Sequence, residues 1–490
     1  MLIEGILSKR YFIVFPLLLS LLLHWNIFSY DLIGFHVWRQ TQTETVTRNF
    51  ATGKNSILNP TINNLQFKDG IQRMEFPLMQ WCFSKFHKVF GYHLLISRIL
   101  TFSLGALLLL FFRNLIFTIT KNRIAANFGC WIYCWSPLFY YYCLNPLPDN
   151  LAILCCIAGL YFTQQFYSSQ KSKHFIIGTL LICVGFACKL PYLLFIVFPI
   201  LCLLILFNKQ KVNRKNTIQL GAFLLIILCI PSLWYFWVIP QWGGNGVVLG
   251  IFDNQISLTK IKEILWFHFS AALPELYLNY ATVLFFLLGI YFILLNFKKN
   301  RFLYIPYLSA LFLFISYFLY EINMIDVVHD YYMFPFLPFM FILAVAGFIY
   351  IFQTKLKWLK IIATIAFFIM PLTAYLRIQQ RWNNKSPGFE VTYLKNKKEI
   401  HDFLPTQAKC IVGNDNSGFI TLYYLNRKGW NFNDNKIDVS TVRKYENEGA
   451  NYFIFDDSIH KLNDSLVLYL GVPQKKVGNL TFFQITKNKK

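Results

Sequence analysis

Apolar blocks near twenty residues long recur along most of the chain, each the length a helix needs to cross roughly 30 Å of hydrocarbon. Backbone groups in lipid must be satisfied internally, so repeated blocks of this length leave a helical membrane protein as the fold they can build. Composition agrees, because 56% of the 490 residues are hydrophobic and only 14% are charged. A soluble chain of this length needs more charged surface. The pattern predicts about eleven transmembrane helices, over 11–30, 93–112, 124–143, 150–168, 174–188, 190–207, 217–238, 278–297, 302–320, 333–353 and 358–376. The separation of 174–188 from 190–207 rests on Lys189-Leu190-Pro191, where proline interrupts the run.

The formal net charge of +23 raises nucleic acid as a partner, and its distribution argues against one. Much of the excess sits in short connections such as Asn208–Asn216 and Phe297–Arg301. Together with Arg113–Arg123, Gln170–Lys173 and Lys355–Lys360, these connections fall on one side under alternate crossing, and the positive-inside bias makes that side the cytoplasm. The N-terminus is expected there too. The run 11–30 is long and has no small-residue cleavage site, so it reads as a retained helix rather than a signal peptide. The loop 31–92, the turn at 145–150, the loop 239–277, the segment 321–332 and the tail from about 377 then share the extracytoplasmic face.

The tail reads differently. From Glu399 short β-like runs (Cys410–Val412, Tyr452–Phe455, Leu480–Ile485) alternate with helix-like stretches (Phe419–Asn426, Thr441–Gly449, Ser458–Leu470). The expected organisation is a transmembrane domain over 1–376, carrying the external loop 31–92, and a small α/β domain over 377–490. The tail's single cysteine, Cys410, excludes an internal disulfide there.

Polar and ionisable residues gather on the external face. The first loop opens with Asp31 and continues through His36, Trp38, Arg39, Gln40, Gln42 and Glu44 to Arg48-Asn49-Phe50, and is expected to form an amphipathic interfacial helix. It serves either as an anchor or as a cationic, hydrogen-bonding cup for an anionic headgroup, since Arg grips phosphate bidentately. Glu75, in Arg73-Met-Glu-Phe-Pro-Leu78, is either a helix cap or an active-site carboxylate. Asp149, after Pro148, is an N-cap or a catalytic acid. His329, Asp330, Tyr331 and Tyr332 directly precede a helix; two ligands do not make a metal site, and a divalent metal stays open. Arg98 and Lys189 lie near helix ends, where they either snorkel or act on a phosphate.

Five segments occur in order: WRQTQT (Trp38–Thr43) with Arg48-Asn49-Phe50, EFPL (Glu75–Leu78), Pro148-Asp149, HDYY followed by two prolines (His329–Pro338), and LYYLNRKGW (Leu422–Trp430). In this order they resemble bacterial GT-C glycosyltransferases related to protein O-mannosyltransferases and lipid A aminoarabinose transferases. The resemblance spans nearly the whole chain. It implies a bacterial inner-membrane enzyme that takes a sugar from a polyprenyl-phosphate donor. The sugar goes, with inversion, to a lipid, glycan or protein acceptor outside the cytoplasm. Relatives carry an acidic Asp-Glu pair where this chain has Arg39-Gln40, many have Asp at the position of Gln42, and Glu75 stands where they have a lysine. The base therefore does not carry over, and the candidates are Glu75, Asp149, Glu44 and Asp31. Arg39, Arg98 and Lys189 are the candidates for stabilising the departing phosphate, with His329 and Tyr332 lining the pocket. The rival readings are a lipid-linked sugar flippase, an envelope polysaccharide polymerase or ligase, and a non-catalytic receptor.

Overall fold

The computed structural model describes residues 2–53, 55–242, 249–252, 255–413, 415–433, 437–457 and 462–485. They form two compact units: Met1–Phe28, Met74–Met79 and Arg98–Gln380 in one, Ser29–Arg73, Gln80–Ser97 and Arg381–Lys490 in the other.

The first unit is a multi-pass helical membrane unit. Among the described residues, 7 helices are long and apolar enough to span a bilayer, with Val14–Leu23 and Ser172–Cys188 as shorter apolar helices. The chain expected to form helices at 278–297 and 302–320 is one run, Tyr280–Tyr320, with a non-helical residue at Asn300 (φ −119°, ψ 18°). The kink falls inside the basic Phe297–Arg301 connection, so two crossings meet there without a conventional loop. The expected helix 124–143 is likewise divided into Arg123–Cys134 and Pro137–Tyr142, the second capped by the Ser136 hydroxyl. At Lys189 the backbone is extended (φ −161°, ψ 122°) between helix Ser172–Cys188 and the 3₁₀ turn Leu190–Ile196, which is where the sequence placed the break.

Lipid supplies no hydrophobic force between helices, so close backbone approach has to come from small residues. Gly289 and Gly347 provide it: a Cβ on either would overlap a backbone carbonyl of the other helix, Leu343 or Phe285 respectively.

The second unit contains a five-stranded sheet in the order β2-β1-β3-β5-β4. β1 (Lys409–Gly413) lies parallel to β2 (Lys428–Phe432) and β3 (Tyr452–Asp456). β5 (Leu480–Gln484) runs antiparallel to β3 and to β4 (Lys475–Val477). Apolar side chains cover both sheet faces: Cys410, Val412, Ile454 and Phe482 on one, Ile411, Phe453 and Phe483 on the other. Helices Ile420–Leu425, Val439–Asn447 and Asp464–Leu470 match the expected stretches; the start of the third, 458–461, lies outside the described residues.

Chain from the first loop is built into the same unit. Asn64 bridges Gly429 at the outer edge of β2, where Leu65 donates its amide to the Gly429 carbonyl (2.7 Å) and Gly429 donates to Asn63 (3.0 Å). Leu32 and Val37 pack into the core formed by β1, β3 and β5. Loop and tail therefore occupy the same side of the membrane, which requires an even number of crossings between them.

Gly347→Val is expected to lower membrane-unit stability by about 1–3 kcal/mol, the usual penalty of overpacking, seen as a reduced thermal unfolding midpoint in detergent. A substitution at exposed, lipid-facing Ile226 should leave that midpoint in place.

Candidate functional site

In the membrane unit four separate segments converge. Pro148 opens the helix Pro148–Ser169, and Asp149 sits in its first turn rather than at its cap, which is Leu147. There the helix dipole favours its negative charge. Its carboxylate is buried and lies 3.5 Å from the Lys189 ammonium. Lys189 reaches it because the chain is extended between two helices at that point. The ammonium also stands over the rings of Tyr331 and Tyr332, at 5.1 and 5.3 Å from their centroids. The Phe76 amide donates to the carbonyl of Ala187 at 3.0 Å, which brings the neighbouring Glu75 to the same helix end. Glu75 itself is 9% exposed.

Two more predicted residues join this cluster. Asp330 accepts a hydrogen bond from the Tyr142 hydroxyl at 2.7 Å. His329 makes a 2.6 Å contact with the Met324 carbonyl, and burial pushes its imidazole below its ordinary pKa, so at neutral pH the ring donates as a neutral imidazole. Arg98 is fully buried and donates to the Leu144 carbonyl (3.2 Å) and to Asn145 Oδ1 (3.1 Å). It braces the turn leading into Asp149 instead of snorkelling to the interface. Asn150 closes that turn by donating to the Asn145 carbonyl at 3.0 Å.

The remaining predicted residues lie in the second unit. Helix Val37–Thr52 is not amphipathic: polar and apolar positions alike are buried, from Arg39, Gln40 and Gln42 to Glu44 and Arg48. Part of its polarity is met within the helix and part by distant chain. Thr43, Thr45 and Thr47 each donate to a carbonyl four residues back. Arg39 donates to Gln42, which passes a 2.6 Å bond to Gln72, and Gln40 donates to the Phe35 carbonyl at 2.9 Å. Buried His36 precedes the helix in the left-handed region (φ 56°). Trp38 stacks on Phe419, 6.4 Å between centroids. Asp31 is half-exposed and paired with Lys397 at 2.8 Å.

Glu44 belongs to a cluster that sequence reasoning did not assemble. Its carboxylate accepts from Ser97 Oγ (2.9 Å) and lies 3.7 Å from His87 Nε2, which meets the same hydroxyl at 2.8 Å. Burial depresses the His87 pKa, so at neutral pH the His87–Glu44 contact is polar rather than ionic. The Arg48 guanidinium stands over Tyr423 and Tyr92 at 5.0 and 5.7 Å. No spacing rule links residues 44, 87, 97 and 423, so only the fold could reveal the group. Among the described residues no three His, Cys, Asp or Glu side chains converge as metal ligands.

Glu321 was also missed. It directly follows the helix Tyr280–Tyr320, is 1% exposed, and burial pushes its carboxyl up to about 8. The available signal was an acidic residue abutting a membrane helix.

A family model described as dolichyl-phosphate-mannose-protein mannosyltransferase matches residues 75–235, the span holding Glu75, Arg98, Asp149 and Lys189. The fold matches the crystal structure of ArnT from Cupriavidus metallidurans in the apo state, with a TM-score of 0.61 and 11% identity over 97% of this chain and 98% of that one. The same protein bound to undecaprenyl phosphate gives a TM-score of 0.58 and 9% identity over the same shares. No curated protein matches in sequence. Fold and family model together define a polytopic membrane protein of GT-C architecture. The fold is shared with ArnT, and the family-model match is confined to residues 75–235.

Lys189→Ala would leave the Asp149 carboxylate buried without its cation and is expected to cost about 3–5 kcal/mol, read as a lowered thermal midpoint. Glu321 gives a pH signature. Its folded pKa of about 8 exceeds the ordinary 4.5, so the unfolded state releases the proton first and wild-type stability falls between those values. Any stability gain of Glu321→Gln over wild type should therefore be smallest below pH 4.5, grow up to about pH 8 and stay constant above it, measured as thermal midpoints across that range.

Proposed function

We propose that this protein is an inverting glycosyltransferase of a bacterial inner membrane. It would move a sugar from a polyprenyl-phosphate donor to a hydroxyl on a lipid, glycan or protein acceptor at the extracytoplasmic face. The observation that carries the reading is the convergence of Glu75, Asp149, Lys189, Tyr331 and Tyr332 at the ends of membrane helices. A polyprenyl-phosphate sugar needs a cation at that depth for its phosphate, a carboxylate for the acceptor proton and an apolar channel for its tail.

The same unit supports the third requirement. A cavity of about 580 Å³ opens between the two halves of Tyr280–Tyr320 and the helix Leu337–Gln353, with an entirely apolar surface. Met333 and Phe336 line it, so it begins one residue beyond Tyr332. An isoprenoid chain lying there would present its phosphate to the Lys189 end of the Asp330–Phe336 turn.

In the transfer, a carboxylate takes the proton of the acceptor hydroxyl and the acceptor oxygen attacks the anomeric carbon opposite the phosphate. The bond from that carbon to the phosphate oxygen breaks, and its electron pair leaves with the polyprenyl phosphate. Lys189 stabilises that charge as it forms. Glu75 is the favoured base, because it lies at the helix end where Asp149 meets Lys189, while Asp149 serves to hold the ammonium in place. Glu44 belongs to the His87–Ser97 cluster and Asp31 is paired with Lys397.

The test reconstitutes the protein in liposomes with radiolabelled polyprenyl-phosphate sugars and a membrane-extract acceptor. Transfer by wild type, reduced by about 10²-fold or more in Glu75→Gln and strongly in Lys189→Ala, is the expected outcome. Arg39→Ala should retain transfer. Full activity in Glu75→Gln with loss in Asp149→Asn would exchange the two carboxylate roles. Movement of the lipid-linked sugar between leaflets with no transfer from any donor would replace the enzyme reading by a flippase.

A further inference from the structure

Beside the Lys189–Asp149 pair lie three polar groups whose oxygens have no hydrogen-bond partner among the described residues: Tyr192 Oη, Tyr317 Oη and Glu321 Oε2. Tyr192 comes from the turn Leu190–Ile196, Tyr317 from the last turn of Tyr280–Tyr320, and Glu321 follows one helical turn later. Tyr192 and Glu321 are each 1% exposed. Tyr192 lies within electrostatic range of Asp149 and Tyr317, and Tyr317 within range of Asp149, Glu321 and Tyr332. A buried polar atom left unmatched costs about 1–3 kcal/mol, and native interiors hold few of them. Three gathered beside one ion pair fit a ligand that carries hydroxyl groups.

We infer that Tyr192, Tyr317 and Glu321 form the subsite that recognises the hydroxyls of the transferred sugar, and that this sugar is uncharged. The inference rests on the transferase reading above and deepens it. Desolvation keeps the Glu321 carboxyl protonated at neutral pH, so it offers one donor and one acceptor, as an amide does, and no anion for a sugar ammonium. Of the nearby carboxylates, Asp149 is paired with Lys189, Asp330 accepts from the Tyr142 hydroxyl, and Glu75 is assigned to the acceptor proton rather than to the sugar. Tyr332, half-buried and 4.8 Å from the Tyr331 ring centroid, adds an aromatic surface of the kind that packs against the C–H face of a pyranose.

The test measures binding of two lipids to the reconstituted protein, a neutral hexosyl polyprenyl phosphate and the same polyprenyl phosphate without sugar. Glu321→Leu, Tyr192→Phe and Tyr317→Phe should each weaken the hexosyl lipid by about 5- to 10-fold, the equivalent of one hydrogen bond, and leave the sugar-free lipid within about twofold. Glu321→Gln, which keeps a donor and an acceptor at that position, should bind the hexosyl lipid more tightly than Glu321→Leu. A donor bearing an amino sugar should be transferred at least about tenfold less efficiently than the neutral one. Equal loss for both lipids would assign these residues a structural role and overturn the inference, as would unchanged hexosyl-lipid binding in the two Phe variants. Preference for the amino-sugar donor, or hexosyl-lipid binding by Glu321→Gln no better than by Glu321→Leu, would overturn it as well. In each of those cases wild-type transfer persists, so the transferase reading survives; transfer from no donor at all would sink both.

Discussion

A lysine ammonium and an aspartate carboxylate, held 3.5 Å apart in a helix-lined interior, organise the polar chemistry of the membrane unit. Each charge taken singly would be expensive so far from water, and together they remain affordable only because the backbone puts them there. Lys189 occupies the extended residue between two helices, and Asp149 the first turn of a third. Arg98 fixes the turn before Asp149, and Tyr331 and Tyr332 give the ammonium two aromatic faces. The break at Lys189-Leu190-Pro191 is thus more than a topological detail: an uninterrupted helix would carry the ammonium in a different direction.

The helical membrane architecture was legible because lipid imposes one rule on every crossing, and the rule is written in block length. The Lys189 break could be read from a proline, and β1, β3 and β5 from short apolar runs between Gly and Asn. Strands β2 and β4 went unread: β2 hides in the continuous LYYLNRKGW run, and β4 is short and opens with two lysines. The helix Val37–Thr52 was misjudged for a physical reason. Its polarity suggested water, whereas the threonines bond their own backbone and the longer side chains find buried partners.

Site residues divide along the same line. Those next to helix ends, Asp149, Lys189 and Asp330 to Tyr332, carry a local mark in the sequence and come together in the fold. Arg98 and Glu44 carried the mark of ionisable residues near a membrane, yet their partners, Asn145 and the His87–Ser97 pair, come from chain too distant for any spacing to announce. Glu321 carried the mark of an acidic residue abutting a membrane helix, while the burial that raises its pKa is set by the fold.

The second unit has a cost in time. Asn63 donates to the carbonyl of Leu422, 359 residues further along the chain. At roughly 5–20 residues synthesised per second, the first loop waits on the order of 20–70 s for the strand it will flank, while the intervening helices enter the bilayer. Throughout that interval Leu32, Val37 and the exposed backbone at Asn63–Leu65 have no sheet to join. The second unit is therefore completed only when distant parts of the chain meet, and its first loop stays open to misassociation until the tail has been made.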